Sequence, residues 1–449
     1  MSIISPEGLS TQQATAAELL AKIDQRSARI GVIGLGYVGL PLALTFAEGG
    51  FATTGFEIDR ERLASLERGE PYIADVSPEE LRRNQEAQRF SSTGNFDRLA
   101  EMDAILICVP TPLRKTKEPD ISAIVAAGRE IASRLRAGQL VVLESTTYPG
   151  TTEEVLLPMF AARGLEVGRG FFLAFSPERV DPGNRQYVTR TIPKVVGGVT
   201  PVCTALAERL YATVIETVHP VSSARVAEAT KLLENTFRSV NIGLANEMAV
   251  LCRHLGIDVW EVIAAASTKP FGFMPHYPGP GIGGHCIPLD PHYLSWKARL
   301  NGYEARLIGV ASEINASMPG HVIGLVQDAL NDDGRCLRGA RILLLGVAYK
   351  PGVSDTRESP ALEIVATLHR KGAHVEYSDP HVPTLDVGNL FLRSLPLTPE
   401  VVRAQDCVLI VTAHCEFDYR EIVRHARLIV DTRNATRPYA DGAARIVFL

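Results

Sequence analysis

At 449 residues, with 46% hydrophobic and 22% charged, the chain has an ordinary globular composition and material for about three domains. A formal charge of −5 argues against general binding of nucleic acid or anionic membranes, so an anionic ligand must be met by locally placed basic residues. No apolar run reaches the ~18 residues of a membrane span, no signal peptide is visible, and seven cysteines without paired spacing suit a reducing cytoplasm.

Residues 11–26 have the pattern of a short amphipathic helix within an N-terminal extension, 1–27. Ala28–Ile33 predicts a buried strand running into Gly34-Leu35-Gly36-Tyr37-Val38-Gly39, then a helix, Leu40–Glu48, closed by Gly49-Gly50. A GxGxxG set between a strand and a helix is the signature of dinucleotide binding. The next strand, Phe51–Ile58, delivers Glu57, 18 residues after Gly39. A carboxylate there accepts hydrogen bonds from the adenosine ribose and favours NAD, because it would repel a 2′-phosphate. Asp59 is the rival, although alternation along the strand favours Glu57.

Further buried strands are predicted at Asp103–Val109, Leu140–Glu144 and Phe171–Phe175. Ligands of open parallel sheets lie beyond the carboxyl ends of strands. Thr111, Ser145 and Thr146 are therefore contact candidates, with simple helix capping as the alternative. The charged, proline-containing loop Ser176–Asn184 has the look of a binding segment.

From Ser223 to about Leu255 there is no proline, and Val226, Ala229, Leu233, Phe237, Val240, Leu244, Met248 and Leu251 recur at helical spacing. Such a helix spans roughly 50 Å, and its apolar faces suggest a subunit interface. Lys231 and Asn235 share one face of it and are suited to an oxygen carrying negative charge, unless they are merely solvated. The run from Pro278 to Pro291 then gathers four glycines around one cysteine, Cys286. Asp290-Pro291 suits a helix start, so the cysteine sits where the helix dipole favours a thiolate. The glycines are expected to let the backbone approach a ligand. His276, His285, Cys286, Asp290 and His292 raise a zinc site, but the paired spacing of structural zinc is absent, and no metal is expected.

Asn331–Gly334 reads as a linker, followed by strands at Ala340–Gly346, His374–Ser378, Cys407–Thr412 and Leu428–Val430. This is a second parallel α/β unit without a GxGxxG. Lys350, Arg357 and Arg433 lie at strand ends, placed to hold phosphates or else ordinary surface charges. The fold class expected is α/β: two Rossmann-like parallel-sheet domains, 28–218 and 331–449, joined by a central helical domain with one long helix, 219–330.

Gly-Leu-Gly-Tyr-Val-Gly-Leu-Pro at 34–41, the Lys231–Asn235 helix, Gly-Gly-His-Cys-Ile-Pro-Leu-Asp-Pro at 283–291 and the Ala348-Tyr349-Lys350…Ser354–Pro360 run resemble the UDP-glucose/GDP-mannose dehydrogenase family. The resemblance covers the chain from about Arg29 onward. It implies two successive oxidations of a sugar C6 alcohol to a carboxylate with two NAD, on a homodimer or higher oligomer binding a UDP-sugar. Cys286 would add to the aldehyde as a thiolate, giving a thiohemiacetal that loses hydride and a thioester that water hydrolyses. Lys231 and Asn235 would stabilise the oxyanions, Asp290 would orient or deprotonate the water, and Thr146 and Glu178 would lie near that water and the reacting hydroxyl. Gly34, Gly36, Tyr37, Val38, Gly39, Glu57, Thr111, Ser145 and Arg357 would meet NAD. Glu178, Arg179, Lys231, Asn235, Gly283, Lys350 and Arg433 would meet the nucleotide sugar, and Lys269 is the candidate donated by a partner subunit.

Pro177–Asn184 departs from the PEFLREG-like loop of UDP-glucose members. With Lys269–Pro275 it resembles the branch that oxidises UDP-N-acetylhexosamines, where Arg179 and Asn184 suit the acetamido group. UDP-N-acetylglucosamine is favoured over the manno epimer. The competing readings are a non-catalytic NAD or UDP-sugar binding regulator, against which the intact Cys286, Lys231 and Asp290 speak, and a two-electron hydroxyacid dehydrogenase, which needs neither the cysteine nor the second nucleotide fold.

Overall fold

A computed structural model describes residues 11–73, 75–114, 116–180, 189–442 and 444–449. The chain forms two compact units, Met1–Glu234 with His292–Asn301, and Asn235–Pro291 with Gly302–Leu449.

The first unit is built on strands β1 (Arg29–Ile33), β2 (Ala52–Phe56), β3 (Phe90–Thr93), β4 (Ala104–Ile107), β5 (Leu140–Leu143), β6 (Phe172–Phe175), β7 (Lys194–Gly198) and β8 (Val218–Pro220). Their order is β3-β2-β1-β4-β5-β6-β7-β8, parallel except where β7 runs against β6. The direction of the chain's progress across the sheet reverses between β1 and β4, which opens a crevice at the carboxyl ends of these two strands. β4 and β5 are buried along their whole length, as near-continuous apolar runs in a covered parallel sheet must be. The expected N-terminal helix forms over Thr11–Asp24 and is part of this packing. Its Leu19 and Ile23 join the same core as Leu206 and Leu210, Lys22 pairs with Asp103 at 2.9 Å, and Asp24 pairs with Arg209 at 2.6 Å.

The second unit holds strands β9 (Arg341–Leu345), β10 (His374–Ser378), β13 (Cys407–Ile410), β14 (Leu428–Asp431) and β15 (Arg445–Phe448) in the all-parallel order β10-β9-β13-β14-β15. A hairpin, β11 (Thr384–Val387) with β12 (Leu390–Arg393), stands outside the sheet. Again the order reverses, between β9 and β13. The segment read as a linker is helical as far as Asp332: the helix Arg306–Asp332 carries Pro319 inside it and ends before Gly334, whose φ is +68°. The aspartates there are held in place because Asp332 and Asp333 pair with Arg445.

The predicted long helix runs Ala224–Leu255, 32 residues, and stops before Gly256 at φ +68°. A left-handed glycine just past the last turn is the usual stop signal. The boundary between the units falls inside this helix.

Candidate functional site

In the first unit the glycine loop links β1 to the helix Gly39–Glu48. Gly34 has φ +88°, and a Cβ on it would stand 2.6 Å from the Cys108 carbonyl oxygen. One on Gly39 would stand 1.9 Å from the Gly34 oxygen, whereas one on Gly36 would meet nothing within 4 Å. Two glycines are thus demanded by packing, and the third leaves open space beside the helix start, which is what a pyrophosphate needs. Val38 precedes that helix without a side-chain cap, and Tyr37 is exposed.

Glu57 is buried at the end of β2. One of its oxygens accepts the N–H groups of Ile58 and Asp59 at 2.8 and 3.1 Å, and the other accepts Leu35 N–H at 3.2 Å. Asp59 caps the next helix through Glu61 and Arg62 N–H, which leaves Glu57 as the carboxylate on the glycine loop. Ser145 spends its hydroxyl on the carbonyls of Ile107 and Val109, tying two strand ends. The Thr111 carbonyl accepts Tyr293 O–H at 2.7 Å, and Thr146 is half-buried.

Beyond β5 and β6 lies a chain of buried charge. Lys194 Nζ is 2.7 Å from Glu144 and 3.3 Å from Glu178, and the Tyr211 hydroxyl bonds to the other Glu144 oxygen. Burial alone would raise the Glu178 carboxyl, but Lys194, the N–H groups of Val180 and Arg179, and Lys231 hold it below the usual range. Glu144 is pushed up by burial. Arg179 is committed to its own fold: its guanidinium grips both Glu234 oxygens and donates to the Pro193 carbonyl at 2.6 Å. Asn184 lies outside the described residues, as does the loop segment 181–188. Lys231 is buried, which removes the alternative of a solvated helix face. One turn before it, Glu228 accepts the N–H groups of Gly150 and Thr152 and the Thr152 hydroxyl.

In the second unit, Cys286 is half-buried and in no disulfide. Its carbonyl accepts the N–H of Asp290 at 2.9 Å, so the cysteine stands one turn ahead of the helix Asp290–Leu300. Asp290 is the first residue of that helix and not its cap. It is buried and accepts Asn235 Nδ2 at 2.5 Å, so Asn235 too is no surface residue.

The glycines around the cysteine answer to packing more than to a ligand. A Cβ on Gly279 would stand 2.5 Å from Arg433 Nη1; one on Gly283 would be 2.7 Å from the Tyr349 Cβ, and one on Gly284 2.9 Å from the Tyr349 ring. The Gly279 N–H is also held by Asn246, itself bonded to Asn315. The cysteine loop is therefore fitted against Tyr349 and Arg433. Arg433 donates to the Val411 carbonyl at 2.8 Å, and burial pushes its pKa down to about 10 against the pull of Asp431. A desolvated guanidinium of this kind favours a bound anion.

Lys350, half-buried beside Tyr349, sits in a loop secured from below. Asp379 accepts the N–H groups of Val347 and Ala348 at 2.7 and 3.1 Å and bonds His414 Nε2 at 3.1 Å, while His414 Nδ1 accepts Gly352 N–H at 3.2 Å. Although burial opposes it, these bonds bring the Asp379 pKa down to about 2. Arg357 is in this unit also, in a fork with Asp355 at 2.6–3.0 Å and 3.3 Å from His285 Nδ1. Lys269 is exposed, its ammonium over the Phe271 ring at 5.0 Å.

Among the described residues, the histidines and acids that raised zinc form no ligand cluster; the one that does is His381, His414 and Glu416. Both ring nitrogens of His414 are engaged by Gly352 and Asp379, which argues against a metal there.

Sequence reasoning missed Lys194, Glu228, Asp379 and His414. No motif marks Lys194 or Glu228, and Asp379 and His414 lie 35 residues apart. The one signal available was Ser378-Asp379-Pro380 at a strand end.

Residues 28–215 match the NAD binding domain of the UDP-glucose/GDP-mannose dehydrogenase family, 225–317 its central domain and 343–438 its UDP binding domain. The chain is 37% identical over 391 residues to a UDP-N-acetyl-D-glucosamine 6-dehydrogenase of Pseudomonas aeruginosa, covering 87% of this chain and 91% of that one. It is 38% identical over 418 residues to a UDP-N-acetyl-D-mannosamine dehydrogenase of Pyrococcus horikoshii, covering 90% and 95%. The solved structure of a UDP-D-ManNAc dehydrogenase from Pyrococcus horikoshii superposes with a TM-score of 0.84 at 35% identity, covering 93% of this chain and 99% of that one. With an open glycine cradle for NAD in one unit and a cysteine loop packed on a basic strand-end site in the other, the chain belongs to the UDP-glucose/GDP-mannose dehydrogenase family, as an NAD-dependent oxidoreductase of UDP-sugars.

Proposed function

We propose that the chain oxidises the C6 alcohol of a UDP-N-acetylhexosamine, with UDP-N-acetylglucosamine favoured, to the uronic acid in two steps through a Cys286 thioester. The observation that carries the reading is the buried Asn235–Asp290 bond one helical turn beyond Cys286. It holds the Asn235 amide on a carboxylate that stands one turn after the half-buried Cys286 thiol, the groups needed to activate water and to meet an oxyanion.

NAD, when bound at the glycine cradle, accepts hydride in each oxidation. The protein's own residues do the rest. Lys231 and Asn235 stabilise the alkoxide and then the tetrahedral oxyanions. Cys286 adds to the aldehyde as thiolate and, after the second hydride loss, holds the acyl group as a thioester. Asp290 then orients or deprotonates the hydrolytic water, with Thr146 and Glu178 alongside. Lys350 and Arg433 hold the nucleotide diphosphate. Arg357 as a contact of NAD, Lys269 as a residue donated by a partner subunit, a homodimer and a cytoplasmic setting belong to the same proposal.

The 37% identical relative acts on UDP-N-acetylglucosamine by its name, and the 38% identical one on the manno epimer. Both names support an N-acetylated sugar, as does the loop resemblance. The test is a panel of UDP-N-acetylglucosamine, UDP-N-acetylmannosamine, UDP-glucose and GDP-mannose, counting NADH per sugar. We expect two NADH per turnover and preference for UDP-N-acetylglucosamine. Preference for UDP-glucose, or one NADH per sugar, overturns the reading.

A further inference from the structure

The buried chain Tyr211–Glu144–Lys194–Glu178 lies at the ends of interior strands of the eight-stranded sheet. Lys194 is the first residue of β7, with its side chain only 5% exposed, and Glu144 is fully buried. Two carboxylates meet one ammonium in a desolvated site, an arrangement that is costly to bury. Its geometry has a direction. Tyr211, in the core, holds one Glu144 oxygen, and Glu144 holds Lys194 at 2.7 Å through the other. Lys194 in turn reaches one Glu178 oxygen at 3.3 Å, while the second Glu178 oxygen takes the N–H groups of Arg179 and Val180, both at 2.7 Å. Both oxygens of Glu178 are thereby met by donors, and every donor favours the ionised form.

We infer that Lys194 is a positioning residue for the reaction: it holds Glu178 as a fixed carboxylate, so that Glu178 meets the substrate as a charged acceptor and not as a proton donor. The inference rests on the proposed placement of Glu178 beside the reacting hydroxyl and water. The groups that face Glu178 are Lys194 on β7, Glu144 after β5, Cys108 after β4, Lys231 on the long helix and its own neighbour Arg179. Lys194 is the cation among them within 3.3 Å.

Removing that cation takes away the largest attraction that holds Glu178 ionised, so Glu178 takes up a proton at higher pH than in the wild type. The test is the pH profile of kcat/KM, read from NADH formation with UDP-N-acetylglucosamine and NAD. In Lys194→Met the acid limb should move up by roughly one pH unit or more while NAD binding is retained, and Lys194→Arg should move it back. Glu144→Gln removes the competing carboxylate and leaves Lys194 to Glu178 alone, so it should move the limb the other way, to lower pH. That variant decides the matter if Lys194→Met does not fold. A limb unmoved in folded Lys194→Met, or unmoved or raised in Glu144→Gln, overturns the inference. Glu178→Gln separates the two levels: unchanged turnover in that variant removes Glu178 from the proposed mechanism and takes the inference with it. A large loss together with unmoved limbs refutes the role of Lys194 alone.

Discussion

Glu228 shows how much of this site is a matter of single side chains acting out of sight. It is buried on the long helix, one turn before Lys231, and its oxygens take two N–H groups and a hydroxyl from Gly150 and Thr152. Burial outweighs these bonds and pushes its pKa up to about 7. A carboxyl whose folded pKa lies above its unfolded value binds protons on folding, so its contribution to stability is fully present at acid pH and is lost as pH rises through 7. The wild-type protein should therefore gain on the order of a few kcal/mol from this group between about pH 8 and pH 5. Glu228→Gln should flatten that slope in denaturant melts, and an unchanged slope would assign the pH dependence elsewhere. For the chemistry, Cys286→Ser should keep NAD and nucleotide-sugar binding and lose overall oxidation by orders of magnitude. Near-normal acid production by that variant would remove the thioester. Lys231→Ala should lose ~10²–10³ in rate, as removal of one preorganised donor does; unchanged kinetics would leave its burial without a catalytic meaning.

Among the elements, those whose sequence pattern follows from local geometry were legible. The long helix has no internal proline and a 3.6-residue apolar repeat, and it forms within one residue of the expected span. The glycine loop was legible because β1 and a helix flank it. β7 was not: Lys194-Val195-Val196-Gly197-Gly198 starts with a charge and ends in glycines, so nothing local marks it as a buried strand. The glycine run before Cys286 was read as room for a ligand, whereas its neighbours Tyr349 and Arg433 come from sequence more than 60 residues away. The loop 347–352 is a similar case. Its anchors, Asp379 and His414, belong to two other strand ends, and only the fold brings them under Lys350. Because they hold the backbone on both sides of Lys350, His414→Leu should raise the KM for the nucleotide sugar severalfold, leaving the affinity for NAD unchanged. Equal loss for both ligands would reduce the pair to general stability, and Lys350→Ala is the control that shows whether the loop binds nucleotide at all.

At the scale of the whole molecule, the long helix exposes a row of large apolar side chains. Val226, Leu233, Phe237, Leu244, Leu251 and Leu255 are each 43–65% exposed. Their separations of seven and four residues set them along one face, over a helix of 32 residues, or about 48 Å. Scattered apolar side chains on a surface need no partner, but a continuous stripe of this length does. The proposed homodimer would cover it with a second copy of the same helix, because a stripe of one chemistry along one element is complementary to itself under a two-fold axis. No helix among the described residues is long and apolar enough to cross a membrane, so a bilayer does not supply a transmembrane alternative for this stripe. The protein should therefore run as a dimer in light scattering at micromolar concentration. Leu244→Glu with Leu251→Glu places two carboxylates at the middle of the stripe. That variant should shift the mass toward the monomer while helical circular dichroism is kept. A monomeric wild type, or a double variant that stays dimeric, would mean that the stripe is covered by something other than its own copy.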